Sequence, residues 1–182
     1  MFSASEASVA VITGGSSGIG LNAARALRAR GLKVYELSRR AENAEPGVTH
    51  LQADVTDETQ VNAAVAEILR REGRIDILIN NAGFGACGSF LETDPEKELS
   101  MLRVNVLAMH RLFKFVLKKM EAQGFGAILN VASSAGLLPG GPYMAGYYAS
   151  KAYVVSLTRG VAEELREQHS PVYVCALCPG PV

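Results

Sequence analysis

Residues 9–20 read VAVITGGSSGIG, and this stretch indicates the fold more strongly than any other part of the chain. Its first four residues are all apolar, which is typical of a parallel β-strand that is buried on both faces. The glycine-rich run that follows predicts a tight turn. The next segment has the apolar spacing of an amphipathic helix that stops at Gly31. The chain therefore begins with a strand, a glycine-rich turn and a helix.

Segments typical of strands and of helices alternate along the rest of the chain. Short apolar runs predict strands, and longer stretches with an apolar residue every three to four positions predict helices. The run TDPE at 93–96 combines a capping-box spacing with a proline in the first turn, so it predicts a helix start. The predicted strands are 9–12, 33–38, 48–52, 75–80, 127–131 and 172–177, and the predicted helices are 18–30, 57–72, 93–123 and 145–168.

This alternation with short connections predicts one α/β domain over residues 1–182, with a Rossmann-type doubly wound parallel sheet and helices on both faces. The expected strand order is 3-2-1-4-5-6, with a ligand in the crevice between the first and fourth strands. Three unusual segments follow strands: the glycine-rich turn, the run NNAG at 80–83, and Ser133-Ser134. Because parallel strands end at one edge of a sheet, we expect these segments to converge there.

The composition excludes several classes of partner. Hydrophobic residues make up 48% of the chain and charged residues 20%, as in ordinary globular proteins. Lysine plus arginine equals aspartate plus glutamate at 18 each, so the charge predicts no nucleic-acid partner. No apolar run approaches the roughly 20 residues that span a bilayer, and the first residues lack the pattern of a secretory signal. We expect a cytoplasmic protein with no membrane partner.

The three cysteines do not form a disulfide framework. Cys175 and Cys178 have the C-x-x-C spacing, but a metal would need two further ligands. The sequence offers neither a second such pair nor two close histidines. We interpret Cys175 and Cys178 as small core residues and expect no metal site.

A glycine-rich turn between a strand and a helix lets the backbone approach a pyrophosphate, and the helix offers its positive end to that charge. This context predicts a nucleotide cofactor at the turn. The candidate residues for holding it are Gly14, Ser16, Ser17, Gly18, Ile19 and Gly20.

The end of the second predicted strand bears on which nucleotide is bound. An NAD site usually has a carboxylate here for the ribose hydroxyls, whereas an arginine suits a 2′-phosphate. The strand ends in Ser38-Arg39-Arg40, and the nearest acid, Glu36, lies two residues early. Ser38 and Arg39 therefore favour NADP(H) over NAD(H). The alternative is that the arginines are ordinary solvated loop residues.

Tyr147 and Lys151 are four residues apart on a predicted helix, and so lie on one face. A tyrosine hydroxyl beside an ammonium ion becomes a usable proton donor, because the positive charge stabilises the phenolate. Tyr148 is the alternative, since it lies three residues from Lys151. The same pair also occurs by chance on many amphipathic helices.

In five places, in the same order, the chain resembles the classical short-chain dehydrogenase/reductase family. The matching segments are Thr13-Gly14-x-x-x-Gly18-Ile19-Gly20, Asp54-Val55, Asn80-Asn81-Ala82-Gly83, Ser134 with Tyr147-x-x-x-Lys151, and Pro179-Gly180. The resemblance covers essentially the whole chain from Val9 onward. It implies hydride transfer between a nicotinamide and a ketone, an aldehyde or a secondary alcohol.

The resemblance also implies roles for individual residues. Tyr147 would donate the proton, and Lys151 would support it and bind the nicotinamide ribose. Ser134, thirteen residues before Tyr147, would hydrogen-bond the substrate oxygen, with Ser133 as the alternative by one position. Asn105 would support a proton relay behind the lysine. Further cofactor contacts would come from Asp54, Val55, Asn81, Ala82, Gly83, Pro179 and Gly180. Read from the residues alone, Asp54 could equally cap the next helix.

Family members normally continue several tens of residues past Pro179-Gly180 and place a substrate lid there. We therefore expect this chain to be part of a longer protein. The alternative function is a non-catalytic nucleotide-binding sensor or scaffold. An epimerase or dehydratase of the extended family is disfavoured by the glycine spacing. By resemblance we expect a homo-oligomer, dimer or tetramer, formed by the long helices. The candidate interface residues Leu107, Phe113, Val154 and Leu157 are explained equally well by core packing.

Overall fold

A computed structural model describes residues 8–42 and 45–180 of the chain. Its six strands form one parallel sheet in the order β3-β2-β1-β4-β5-β6, which confirms the predicted topology. The point at which the strand order reverses lies between β1 and β4. The strands are β1 (Val9–Thr13), β2 (Lys33–Ser38), β3 (Val48–Gln52), β4 (Ile77–Asn80), β5 (Gly126–Val131) and β6 (Val172–Leu177).

Helices pack on both faces of the sheet, as expected for a doubly wound fold. Along β1, Val9 and Val11 belong to one apolar cluster with residues of α2, α4 and α5, whereas Ala10 and Ile12 belong to a second cluster beside α1. All four side chains are buried, so the continuous apolar run is explained by burial on both faces. The helices are α1 (Gly18–Ala29), α2 (Glu58–Glu72), α3 (Pro95–Leu102), α4 (Met109–Gln123) and α5 (Ala145–Glu167).

The edge strand β6 is buried on one face only. Val172 and Val174 belong to the cluster beside α5, whereas Tyr173 on the opposite face is 63% exposed. Within the described residues, no helix covers that face at β6, because α1 lies over β1 and β2. The alternation of burial along β6 follows from this one-sided packing.

The predicted long helix over 93–123 is interrupted, so that prediction is wrong in its middle. Asp94 accepts a hydrogen bond from the Glu96 amide at 3.0 Å, with Pro95 in the first turn, and this confirms the predicted start. Gly124, with φ of 82°, ends the last turn. Between α3 and α4, however, residues Arg103–Ala108 form a π-helical segment. The spacing of apolar residues on either side does not reveal the wider turns of such a segment.

Strand β4 begins at Ile77 instead of residue 75, and the backbone N–H and carbonyl of Ile75 are hydrogen-bonded to the side chain of Gln123. The Ile75 N–H donates to Gln123 Oε1 at 3.2 Å, and Gln123 Nε2 donates to the Ile75 carbonyl at 2.9 Å. Both groups are therefore unavailable to a neighbouring strand. Helix α3 begins at Pro95, two residues after the predicted 93, and the remaining predicted boundaries agree with the structure to within one residue.

Most of the candidate interface residues serve the core of a single chain. Phe113 and Val154 are fully buried, and Leu157 packs against the same cluster, whereas Leu107 is exposed. Of these four, Leu107 is exposed and Leu157 is partly exposed, so these two remain accessible to a partner. Among the described residues, no helix has the length and apolar character that crossing a membrane requires.

Asp57 supplies the first testable prediction, because its carboxylate caps α2. Oδ1 accepts from the amides of Thr59 and Gln60 at 2.9 and 3.1 Å. Asp57→Ala should lower the free energy of unfolding by about 1 kcal/mol, measured by urea denaturation followed by circular dichroism. Asp57→Asn keeps an acceptor oxygen and should retain most of that stability. If the asparagine variant is as unstable as the alanine variant, the capping interaction is not what Asp57 contributes.

Candidate active site

Hydrogen bonds join the end of β1 to the segment that follows β4. The Thr13 hydroxyl accepts from the backbone amides of Asn81 and Ala82, at 3.0 Å each. In return, Asn81 Nδ2 donates to the carbonyls of Thr13 and Gly14 at 3.0 and 3.1 Å. The glycine-rich turn and the NNAG segment are thereby held together at the carboxyl edge of the sheet, as the sequence predicts.

The shape of the turn requires glycine at several positions, and one of them, Gly18, has φ of 53° and lies beside open space. Gly14 has φ of 65°, in the left-handed region that favours glycine. A Cβ on Gly20 would lie 2.4 Å from the Gly14 carbonyl oxygen, so only glycine allows this close approach. A Cβ on Gly18 would meet nothing within 4 Å. The turn is thus compact on its protein side and open on the other.

The N-terminus of α1 is left available for an anion. Ser17 at the N-cap makes no side-chain capping bond, and the first turn contains no acidic residue. In contrast, α2 and α3 begin with Asp57 and Asp94, whose carboxylates accept backbone amides. Uncapped amides and the positive end of the helix dipole suit a phosphate.

Asp54 lies beside the end of β2 and is held ionised. Its Oδ1 accepts from the amide and the hydroxyl of Thr56 at 2.9 and 2.7 Å. Burial raises the pKa of Asp54, but the Thr56 hydrogen bonds and the positive charge of Arg39 outweigh burial and leave that pKa below its ordinary value. Asp57, not Asp54, caps α2, so the capping interpretation of Asp54 is wrong.

The cofactor candidates Val55 and Ala82 face a common narrow cleft. Thr13 and Val104 line it as well. Val55 follows β3 and Ala82 follows β4, and Met109 and Leu112 of α4 also line the cleft, so it lies at the carboxyl edge of the sheet on the side of α4. The loops that the sequence marked as cofactor contacts therefore come together around the end of β1.

Lys151 is a buried cation on α5. Its side chain is 6% exposed, and Nζ donates to the Val131 carbonyl at the end of β5 at 3.0 Å. Nζ also lies 5.8 Å from the centroid of the Tyr147 ring. Burial lowers the pKa of Lys151 to about 8, with Cys178 acting in the opposite direction. The residue thus remains largely charged at neutral pH, close to Tyr147.

Glycines after β4 allow the loop to pack directly on the side chains of Lys151 and Tyr147. A Cβ on Gly83 would lie 3.4 Å from Lys151 Nζ and 2.9 Å from Asn105 Oδ1. A Cβ on Gly85 would lie 3.5 Å from the Tyr147 ring. The other candidate tyrosine, Tyr148, packs its ring against Gly141. The geometry therefore favours Tyr147 over Tyr148 as the partner of Lys151.

Asn105, the buried asparagine of the π segment, fastens the same loop. Its Nδ2 donates to the Phe84 carbonyl at 2.8 Å and to Ser150 Oγ at 3.2 Å. Its Oδ1 accepts from the Phe84 amide at 3.0 Å. One side chain thus links the loop after β4 to α5, beside Lys151. In this structure Asn105 is a positioning residue.

The two candidate serines differ in their hydrogen bonds. Ser133 Oγ accepts from the Ala135 amide at 3.2 Å and so caps the short 3₁₀ turn Ser134–Leu137. Within residues 8–42 and 45–180, the Ser134 hydroxyl has no hydrogen-bond partner, which leaves it available to a ligand. The Ser134 amide donates to the Pro179 carbonyl at 2.8 Å, so the ends of β5 and β6 are joined as well.

Beside Tyr147 lies a small cleft that is partly open to solvent. Ala86 and Gly88 of the loop after β4 line it, as do Tyr143 and Met144 before α5. The sequence did not indicate that Phe90, Thr93, Glu98 and Met101, which lie in or just before α3, would line a cleft. Phe90 and Tyr143 are exposed at its rim.

Of the three cysteines, Cys178 lies close enough to Lys151 to affect its pKa. Cys87, Cys175 and Cys178 are free, and the residues that the structure describes contain no cluster of potential metal ligands. Burial raises the pKa of the Cys175 thiol, which keeps it protonated.

Comparison with known proteins agrees with this geometry. A family model described as short chain dehydrogenase matches residues 8–182. The 3-ketodihydrosphingosine reductase of Bacteroides thetaiotaomicron is 38% identical over 173 residues, which cover 94% of this chain and 63% of that protein. The chain belongs to the short-chain dehydrogenase/reductase family of oxidoreductases. It spans a little less than two thirds of that reductase.

Solved structures show the same fold. A short-chain dehydrogenase/reductase from Burkholderia phymatum in complex with NAD superposes with a TM-score of 0.90 at 33% identity, covering 96% of this chain and 66% of that one. A gluconate 5-dehydrogenase from Burkholderia cenocepacia in complex with NADP and tartrate gives 0.85 at 32% identity, covering 95% and 71%. Both nicotinamide nucleotides thus occur among the relatives.

The buried charge of Lys151 gives the second prediction. Below pH 8 the lysine is protonated in both states, and burial of the charge destabilises the folded one. This cost should disappear as pH rises from about 8 towards the ordinary value of 10.5. At pH 7, Lys151→Met should therefore raise the free energy of unfolding by about 2 kcal/mol, after about 1 kcal/mol is subtracted for the lost hydrogen bond.

The measurement is urea denaturation of both proteins from pH 7 to 10, with the exposed Lys97→Met as the control for loss of a charge. The advantage of Lys151→Met should shrink with rising pH, whereas the control should show little change. An advantage that stays constant over this range would contradict the assignment.

Proposed function

We propose that the chain carries the cofactor-binding and catalytic core of an NADP(H)-dependent oxidoreductase that interconverts a ketone or aldehyde and a secondary or primary alcohol. The observation that carries this proposal is the buried Lys151 beside Tyr147, with an unpartnered Ser134 hydroxyl on the adjoining 3₁₀ turn. These groups can hold a carbonyl oxygen and move a proton to it.

The chain's own residues would divide the work as follows. The Ser134 hydroxyl hydrogen-bonds the substrate oxygen, and Tyr147 donates a proton to that oxygen during reduction. Lys151 stabilises the phenolate that remains, because its charge is buried and thus weakly screened. Asn105 holds the loop after β4 so that these groups stay aligned. The nicotinamide, when bound, supplies or accepts the hydride.

The residues present fit a dinucleotide. The uncapped start of α1 and the open space beside Gly18 suit its pyrophosphate. Asp54 offers an ionised acceptor to the adenine amino group, with Val55 beside the ring. Ser38 and the exposed Arg39 at the end of β2 suit a 2′-phosphate, which supports NADP(H) over NAD(H). Asn81, Ala82, Gly83, Pro179 and Gly180 complete the lining.

The surroundings of the cleft favour an uncharged substrate with apolar substituents. Phe90 and Tyr143 line the cleft and are exposed, and Leu137 and Leu138 at the end of the turn that carries Ser134 are exposed as well. Exposed apolar surface near a cleft is typical of a ligand-binding region. We further propose a small-molecule substrate, a cytoplasmic location and a homo-oligomeric state, the last resting on the family resemblance.

Tyr147→Phe tests the proton-transfer role. The variant should lose at least about 100-fold in the rate of NADPH-dependent carbonyl reduction, because it lacks the donated proton. Its affinity for NADPH, measured by fluorescence titration, should change by less than about twofold. Tyr148→Phe is the matched control and should retain activity, since that ring packs on Gly141. NADPH binding without turnover of any carbonyl by the wild type would favour the non-catalytic sensor instead.

Arg39→Ala tests the choice of nucleotide. Loss of the guanidinium should weaken NADPH binding by about tenfold, since a charge-assisted contact contributes ~1.5 kcal/mol, and should leave NADH binding nearly unchanged. Fluorescence titration of both nucleotides measures this, with Arg30→Ala at the exposed end of α1 as the control. Equal weakening of the two nucleotides would contradict contact with the 2′-phosphate.

A further inference from the structure

A buried carboxylate lies directly beneath the glycine-rich turn. Glu36, inside β2, is 0% exposed. The position that a Cβ on Gly15 would take lies 2.7 Å from Glu36 Cβ and 3.5 Å from Glu36 Oε2. Oε2 has no hydrogen-bond partner among the described residues, whereas Oε1 accepts from Ser38 Oγ at 3.2 Å. A buried carboxylate of this kind is costly unless its charge is compensated.

His50 provides that compensation from the neighbouring strand. Glu36 and His50 are direct partners in the β2–β3 register, and His50 Nδ1 contacts Glu36 Oε1. The other ring nitrogen, Nε2, lies 2.9 Å from the Arg40 carbonyl oxygen. A carbonyl only accepts, so Nε2 carries a proton. One further proton must then lie between Nδ1 and Oε1, on either atom. In both cases the pair has a net charge of zero.

The same strand holds the backbone of the loop that follows β2. His50 and Gln52 are two residues apart on β3 and therefore lie on the same face of the sheet. Gln52 Nε2 donates to the Arg39 carbonyl at 3.2 Å. The Glu36–His50 pair therefore touches three parts of the adenosine end of the site: the glycine-rich turn, Ser38 and the arginine loop. None of these contacts involves Tyr147 or Lys151, the residues of the proton-transfer site.

We propose that His50 determines nucleotide specificity by neutralising Glu36, so that the adenosine end of the site accepts a 2′-phosphate. This inference rests on the proposed NADP(H)-dependent function. If His50 shares no proton with it, an ionised Glu36 carries an uncompensated negative charge beneath the turn, and a buried charge is weakly screened. NADP(H) differs from NAD(H) by the added phosphate at this end. The charge on Glu36 therefore discriminates against NADP(H) more than against NAD(H).

The test compares dissociation constants for NADPH and NADH at pH 8 by fluorescence titration. His50→Gln keeps a donor long enough to reach the Arg40 carbonyl but supplies no shared proton. It should weaken NADPH binding about tenfold, or ~1.4 kcal/mol, and NADH binding by less than about twofold. Glu36→Gln alone should retain the preference of the wild type. The double variant, Glu36→Gln with His50→Gln, should recover the nucleotide preference of the wild type, because it lacks the carboxylate.

Control measurements separate this role from a structural one. His169→Gln makes the same change at an exposed position beyond α5, and should leave both constants unchanged. Circular dichroism checks folding, and His50→Asn replaces His50→Gln if the latter does not fold. Three outcomes would overturn this inference and leave the proposed function standing. They are equal weakening of NADPH and NADH binding by His50→Gln, an unchanged ratio of the two dissociation constants, and a double variant that still binds NADPH weakly. Failure of the wild type to bind either nucleotide would overturn the proposed function together with it.

Discussion

The hydrogen bonds between Thr13 and Asn81 hold the functional edge of this molecule together. They join β1 to the segment after β4 at the point where the strand order reverses, which is where a parallel sheet opens a crevice. Asn81 also holds the Gly14 carbonyl, and a Cβ on Gly20 would lie 2.5 Å from its Nδ2. The shape of the glycine-rich turn and the position of the NNAG segment therefore depend on the same few atoms.

From this junction, polar contacts continue across the site to β6. Asn105 ties the loop after β4 to α5, Lys151 reaches back to the end of β5, and the Ser134 amide binds the Pro179 carbonyl. The side chains of Asn105 and Lys151 donate mostly to backbone carbonyls and not to carboxylates. Among the described residues, the charge of Lys151 is therefore not cancelled by an acid, and its burial is a cost in stability that fits the proposed proton transfer at Tyr147.

The two ends of the crevice differ in the charge that is buried there. At the proposed proton-transfer end, the buried cation of Lys151 stands beside Tyr147. At the proposed adenosine end, the open N-terminus of α1 and the charge of Arg39 lie near the buried carboxylate of Glu36, which His50 contacts. The fold separates these ends by placing one after β2 and the other on α5.

The sequence by itself determined the order of strands and helices, the glycine-rich turn and the Tyr147–Lys151 spacing. These features depend on residues close together in the chain, where burial periodicity, capping and helical geometry act locally. The sequence did not reveal the π segment around Asn105, nor the Gln123 contact that shortens β4. Read without the family resemblance, it also did not distinguish Ser134 from Ser133 or Tyr147 from Tyr148. Only the tertiary structure showed the π segment, the Gln123 contact, how the contacts of these serines and tyrosines differ, and the pairing of Glu36 and His50. Each depends on strand register or on the packing of distant segments, which no local pattern encodes.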